Sequence, residues 1–200
     1  TVLFVSHNMA AVKSLCTRGI VMENGQIVFA GTTENSILYY LNENIKIEDF
    51  KSISGRKGNG KVLFDKVDVF GAQEHSLPQV GVPFTINIQI NNIFKISSLD
   101  IRVDLRIDDS MGQRILWLSN SLIKMNKYEN IQNIQFRINK LNLNHGFYYT
   151  TLYMEVESDL SDYIQNAFSF EVIDGDYYGT GRGIPPKQSK LLSDFNVFYK

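Results

Sequence analysis

Ile101, Val103, Leu105 and Ile107 alternate with Arg102, Asp104, Arg106 and Asp108, and this strict period of two is the strongest constraint in the chain. Only an extended strand puts every second side chain on one face, so this segment must lie with its apolar side on a core and its charged side away from it. Ile86, Ile88 and Ile90 repeat the pattern against Thr85, Asn87, Gln89 and Asn91. Val62, Phe64, Val67 and Val69 begin it, with an irregularity expected at Asp65-Lys66. Further strands are expected over 114–122, 131–138, 147–156 and 167–173, with a turn at 108–112 and loops rich in Asn, Gly and Pro. At least seven strands and no long helix over 61–173 predict a mainly β protein, an antiparallel two-sheet β-sandwich. Pattern alone leaves immunoglobulin-like and jelly-roll connections both open.

The composition suits one ordinary domain with a smaller piece attached: 200 residues, 44% hydrophobic and 12% aromatic. Twenty basic residues against 21 acidic ones give no electrostatic pull toward nucleic acid, which is excluded as a partner class. The single cysteine, Cys16, cannot form an intrachain disulfide and reads as a small hydrophobe, in keeping with the cytoplasm. No signal segment or apolar run of membrane length is present, so any role at a membrane is expected to run through a partner.

Before residue 60 the pattern is different. Val2 to Val5 read as a short buried strand that delivers Ser6-His7 at its end. Asn8 can cap a helix with an apolar face of Val12, Leu15 and Cys16, ended by Arg18-Gly19. Residues 19–23 and 26–30 read as a hairpin about Asn24-Gly25, and Thr32-Thr33-Glu34 opens a second helix through Ile37, Leu38 and Leu41. Residues 45–60 lack any period, so they are expected to form a solvated linker, the basic pair Arg56-Lys57 included. The expected division is an α/β piece at 1–44, a linker at 45–60, the sandwich at 61–173, and a flexible arm with a terminal strand at 174–200.

The run from Val5 to Thr32 resembles the closing segment of an ABC-transporter nucleotide-binding domain, in which a strand ends in Ser-His and is followed by a helix, a strand, Gly, a strand and Gly-Thr. The resemblance implies that His7 is the switch histidine, reaching the terminal phosphate of ATP. The chain carries no GxxxxGK[ST] loop, no acidic strand end for magnesium and no LSGGQ-like signature. It starts in mid-domain by this reading and is expected to be catalytically silent alone, with ATP and Mg as cofactors of a full-length parent and none in this fragment.

The second region adds motifs of its own. Gly58-Asn59-Gly60-Lys61 leads into Val67-Asp68-Val69-Phe70-Gly71, Val80-Gly81-Val82-Pro83-Phe84 opens a long strand, and Asp108 to Gly112 forms a turn. Leu143 to Tyr148 and Ala167 to Val172 follow. In this order the chain resembles the Wzt-type ATPase subunits of ABC exporters for lipid-linked O-antigen polysaccharide. That resemblance implies a glycan-binding sandwich, a homodimer, a transmembrane permease as partner, and a location at the inner face of the bacterial cytoplasmic membrane.

A glycan site needs aromatic platforms flanked by planar hydrogen-bonding groups. Tyr148, Thr150, Leu152, Met154 and Val156 are expected to face the core, which turns Tyr149, Thr151, Tyr153 and Glu155 outward. Trp117, the only tryptophan, either points outward between Leu116 and Leu118 or is the core tryptophan of a sandwich. Arg102, Asp104 and Arg106 either clamp hydroxyls or form cross-strand charge pairs. His75 and His145 read as loop histidines without metal partners, and Met111 and Met125 as packing or loop residues. In the tail, Phe195, Val197 and Tyr199 alternate with Asn196 and Phe198, a strand pattern expected to join two copies by exchange or edge pairing. Two rival functions stand beside glycan recognition. One is a dimerisation or regulatory module without a ligand; the other is a glycoside hydrolase using Asp108 with Asp109, Glu155 with Glu157, or Asp174 with Asp176.

Overall fold

The computed structural model describes residues 2–5, 12, 15–23, 25–44, 48–50, 53, 55–109, 112–124 and 126–199. The chain divides into two compact units, Thr1–Lys46 and Ile47–Lys200.

In the first unit, β1 (Arg18–Glu23) and β2 (Gln26–Thr32) form an antiparallel hairpin, followed by helix α1 (Thr33–Asn44). Gly25 sits at φ +80°, the left-handed geometry such a turn needs. Thr32 caps the helix by accepting the Asn35 N–H at 3.3 Å. Phe29 stacks on Tyr39 at 4.7 Å, and Ser36 donates to the Gly19 carbonyl, so the helix is fastened to the hairpin. Val2 to Val5 are not the expected buried strand: they form no strand, and Val2, Leu3 and Val5 are almost fully exposed. An apolar run becomes a buried strand only when another strand pairs with it, and none does so among the described residues. His7 and Asn8 lie outside the described residues.

The second unit is a sandwich of two four-stranded antiparallel sheets. Its strands are β3 (Glu48–Asp49), β4 (Leu63–Phe70), β5 (Phe84–Asn91), β6 (Ile101–Asp109), β7 (Arg114–Ser119), β8 (Asn133–Ile138), β9 (Gly146–Val156) and β10 (Asp159–Val172). One sheet has the order β3-β4-β5-β8 and the other β10-β9-β6-β7. Taken as strands A, B, C, C′, E, F and G, β4 to β10 give an A-B-E sheet and a G-F-C-C′ sheet, the immunoglobulin-like arrangement. That decides between the two topologies the pattern left open. Tyr148, near the start of the F-like strand β9, donates its hydroxyl to the Asn144 carbonyl at 2.7 Å, the tyrosine corner of this class.

The alternating residues make the core as expected. Ile86, Ile88, Val103, Leu105, Ile107, Leu152 and Met154 are fully buried between the sheets. The irregularity near Asp65 is a bulge: the β4–β5 register shifts between Phe64 and Lys66.

Two segments depart from the reading by composition. The expected linker is partly built into the sandwich: Glu48–Asp49 pair with β4, and Phe50 is fully buried in the core. Arg56 donates to Asp162 and to the carbonyls of Phe50 and Phe64, and residues 57–60 exchange main-chain hydrogen bonds with β10. The arm after β10 is also docked. Tyr177 and Leu192 are buried, Leu143 bridges Leu191, and the Asn144 N–H donates to the Lys190 carbonyl. Phe195, Val197 and Tyr199 form no strand and stay exposed, because no edge among the described residues pairs with them; Phe195 meets the ring of Tyr178 edge-on at 5.6 Å. Among the described residues, no helix is long and apolar enough to cross a membrane.

Candidate functional site

The outer face of the β10-β9-β6-β7 sheet gathers all seven residues expected to touch a glycan. Strand register sets the array. Arg102 lies opposite Glu155, Asp104 lies between Ser119 and Tyr153, and Arg106 lies between Trp117 and Thr151. Asp108 faces Tyr149, and Tyr153 faces Tyr163 on the far side.

Trp117 is 46% exposed, which settles its direction: Leu116 and Leu118 turn toward the core, and the indole turns away from it. Tyr149 is exposed on the same face. Two strand spacings separate β7 from β9, and Tyr149 lies two residues along from Thr151, the residue in line with Trp117, so the two aromatic platforms stand roughly 12 Å apart across the sheet.

Asp104 is the hub of the array and is not itself a hydroxyl clamp, because its side chain is almost fully buried although it points away from the core. Arg102 covers it with two hydrogen bonds, Nε to Oδ1 at 3.0 Å and Nη2 to Oδ2 at 2.8 Å. Burial pushes the Asp104 carboxyl up, but bonds from Arg102 and Ser119, the Arg102 charge and the Trp117 indole together outweigh it and hold the group below the usual carboxylate range. The same bond holds the Arg102 guanidinium above its ordinary value, against the effect of burial. Asp104 is therefore a buried anion that fixes Arg102 in place.

Arg102 and Arg106 both lie over the Tyr153 ring, at 5.9 and 5.2 Å from its centroid. The Tyr153 hydroxyl donates to Glu155, which also accepts from Arg102 Nη1 at 3.3 Å. Of the seven expected site residues, Asp104 is out of a ligand's reach, and its outward-facing neighbour Thr151 is buried as well. Beyond Arg102, a shallow recess of about 200 Å³ is lined by Leu99, Asp100, Ser121, Glu155, Glu157 and Ser158.

Glu171 carries no mark in the sequence pattern. It lies opposite Phe147 on the same outer face, and its Oε2 is buried without a hydrogen-bond partner among the described residues. Burial pushes its carboxyl up from 4.5 to about 7. A raised carboxyl binds its proton more tightly in the folded state, so its contribution to stability is full below pH 4.5 and is lost as pH rises toward 7. Glu171→Gln is expected to flatten that fall, worth at most about 3 kcal/mol for this shift and less for its partial exposure. Urea unfolding of both chains at pH 5 and pH 8 measures it, and an equal pH slope in the two would refute the assignment.

The carboxylate pairs considered for hydrolysis are engaged elsewhere. Asp108 pairs with Arg114, Glu155 with Arg102, and Glu157 with Lys61, while Asp176 accepts the N–H groups of Thr180 and Gly181. His145 lies 3.4 Å from Asp174, and no metal-binding cluster occurs among the described residues.

Comparison with known proteins agrees with this architecture. The family described as the Wzt C-terminal domain matches residues 54–182. Among solved structures, a crystal structure of the C-terminal domain of Wzt superposes with a TM-score of 0.53 at 14% identity, covering 76% of this chain and 98% of that one. No curated protein sequence matches the chain. The fold, the order of its motifs and the 54–182 match agree, and the chain belongs to the Wzt C-terminal domain family.

Proposed function

We propose that the outer face of the β10-β9-β6-β7 sheet binds a glycan, and that the chain is the substrate-recognition part of the ATPase component of an ABC exporter for lipid-linked O-antigen or a similar cell-surface polysaccharide. One observation carries this reading: Trp117 and Tyr149 are exposed on a single sheet face, with a pre-organised lattice of Arg102, Asp104, Arg106, Tyr153 and Glu155 between and beside them. Aromatic rings supply the apolar contact a sugar face needs, and the guanidiniums supply directed donors. Holding them in place beforehand reduces the ordering cost of binding.

The partners proposed with this reading are a polysaccharide, a transmembrane permease and a second copy of the chain, at the cytoplasmic side of the bacterial inner membrane. Exposed Phe195, Val197 and Tyr199 are offered as the contact with the second copy. A monomeric mass by light scattering, unchanged by truncation after Leu192, would remove that part. ATP and Mg are assigned to the parent ATPase alone. His7 would be its switch residue, and since this chain carries no phosphate loop, hydrolysis belongs to the parent. The hydrolase reading is disfavoured, because among the described residues each candidate acid is tied to a cation or to backbone donors.

Trp117→Ala and Tyr149→Ala are expected to weaken polysaccharide binding about tenfold each, with little change in melting temperature, since both side chains are exposed. Calorimetric titration with the polysaccharide of the source strain measures the first effect and thermal unfolding the second. Undiminished binding in both variants would move the site off this face.

A further inference from the structure

Resting on the glycan-face reading above, we propose that the bound polymer carries acidic groups and that Arg106 recognises them. The face is layered by charge. Its carboxylates lie against the sheet, with side chains 1% exposed for Asp104, 14% for Asp108 and 25% for Glu155. Its guanidiniums lie above them, 28% exposed for Arg106, 37% for Arg102 and 48% for Arg114. These three carboxylates and three guanidiniums balance in number, yet a ligand arriving from solvent over them meets the cations first. Arginine has five N–H donors and no acceptor, so the outer layer requires acceptors from whatever covers it.

Arg106 has the greatest need. Arg102 has committed three of its five donors to Asp104 and Glu155, and Arg114 has placed its Nε on Asp108 at 3.0 Å. The carboxylate nearest Arg106 among the described residues is Asp104, 4.0 Å from Nη2 and already held twice by Arg102. That separation is too long for a hydrogen bond. The guanidinium rests on Tyr153 and lies beside Trp117 in the ladder. A glycan stacked on Trp117 strips water from those donors. Sugar hydroxyls replace it with neutral acceptors, whereas an oxyanion forms charge-assisted bonds about twice as strong and fits the planar fork in two places.

A sugar ring bearing a carboxylate or a phosphate therefore satisfies Trp117 and Arg106 together. The preference is local to Arg106, because Asp100, Glu155 and Glu157 make the recess beyond Arg102 acidic.

Calorimetric titration of the full chain with the surface polysaccharide of its source strain tests this, using the native polymer, a carboxyl-reduced form and a dephosphorylated form. The native polymer is expected to bind, more weakly as salt is raised, and removal of its acidic group to weaken binding about tenfold. Loss on carboxyl reduction identifies a uronate; loss on dephosphorylation identifies a phosphate. Arg106→Gln is expected to reduce binding of the native polymer to the level of the treated one, with thermal unfolding confirming that the variant is folded. Equal affinity for native and treated polymers, a binding polymer without acidic groups, or an Arg106→Gln variant that weakens both forms by one factor overturns the proposal and leaves the glycan face standing. Failure of every form to bind, or native binding that Trp117→Ala does not change, overturns the glycan face as well.

Discussion

Asp162→Ala is expected to cost about 3–5 kcal/mol of folding stability, lowering the melting temperature by roughly 6–20 °C for a domain of this size. The Asp162 side chain is almost fully buried, and its charge is met by Arg56, whose Nε donates to Oδ1 at 3.1 Å. Its other oxygen accepts from Arg56 Nη2 and from the Phe64 N–H. Arg56 goes on to donate to the carbonyls of Phe50 and Phe64, each at 2.8 Å. Removing the carboxylate leaves a mostly buried cation without its counter-ion and an orphaned N–H, the costly way to break an ion pair. Differential scanning calorimetry measures the loss, and a transition within about one degree of the parent chain, far below the shift such a loss produces, would show that the pair is dispensable.

Gly58→Ala is expected to cost about 3 kcal/mol or more by a different route, through the backbone. Gly58 has φ +130°, and a Cβ there would stand 2.3 Å from the Ser161 carbonyl oxygen, closer than any side chain tolerates. The residue is held in a tight weave: Lys57 and Tyr163 exchange hydrogen bonds at 3.1 and 2.8 Å, and Asn59 and Gly60 donate to Leu160 and Ser161. The obstruction is carbonyl backbone, so the strap must lift off β10 to admit a methyl group. Amide exchange at Tyr163, Asn59 and Gly60 should accelerate together in the variant. Unchanged protection at all three would show that the strap absorbs the methyl in place.

These two sites are invisible in the sequence for one reason, and the long strands are legible for the complementary one. A strand with one buried face writes a period of two into its side chains, as Ile101 to Asp108 do, and even the bulge at Asp65 leaves its mark as a break in that period. The strap at 57–60 is held by main-chain hydrogen bonds, which leave no trace in side-chain chemistry. Arg56 looks solvated because its partner stands 106 residues away. The first half of β10, rich in Asp, Ser and Gln, hides in the same manner. Val2 to Val5 and Phe195 to Tyr199 show the converse: an apolar pattern announces a strand only when a partner strand is present.

The outer face is partly legible. Tyr149 and Tyr153 follow from alternation along β9, and the exposed position of Trp117 follows from its leucine neighbours. The burial of Asp104 does not, because alternation assigns it to a wet face, while three-dimensional cover from Arg102 and its neighbours makes that spot dry. A practical boundary follows from the strap. An excised sandwich that begins at residue 58 or 61 loses Phe50 and Arg56, so a fragment meant to fold must begin ahead of Glu48.

The placement of the lone tryptophan has an optical consequence. Because Trp117 is the only indole in the chain and is exposed on the outer sheet face, all of the chain's tryptophan fluorescence originates over that face. Its emission starts from a half-wet environment and is expected to shift to the blue if a sugar ring stacks there, as proposed, and displaces that water. Asp104→Asn, which removes the charge beneath the indole, shifts the same spectrum with no ligand added. The protein carries a built-in chromophore for that face, requiring no label.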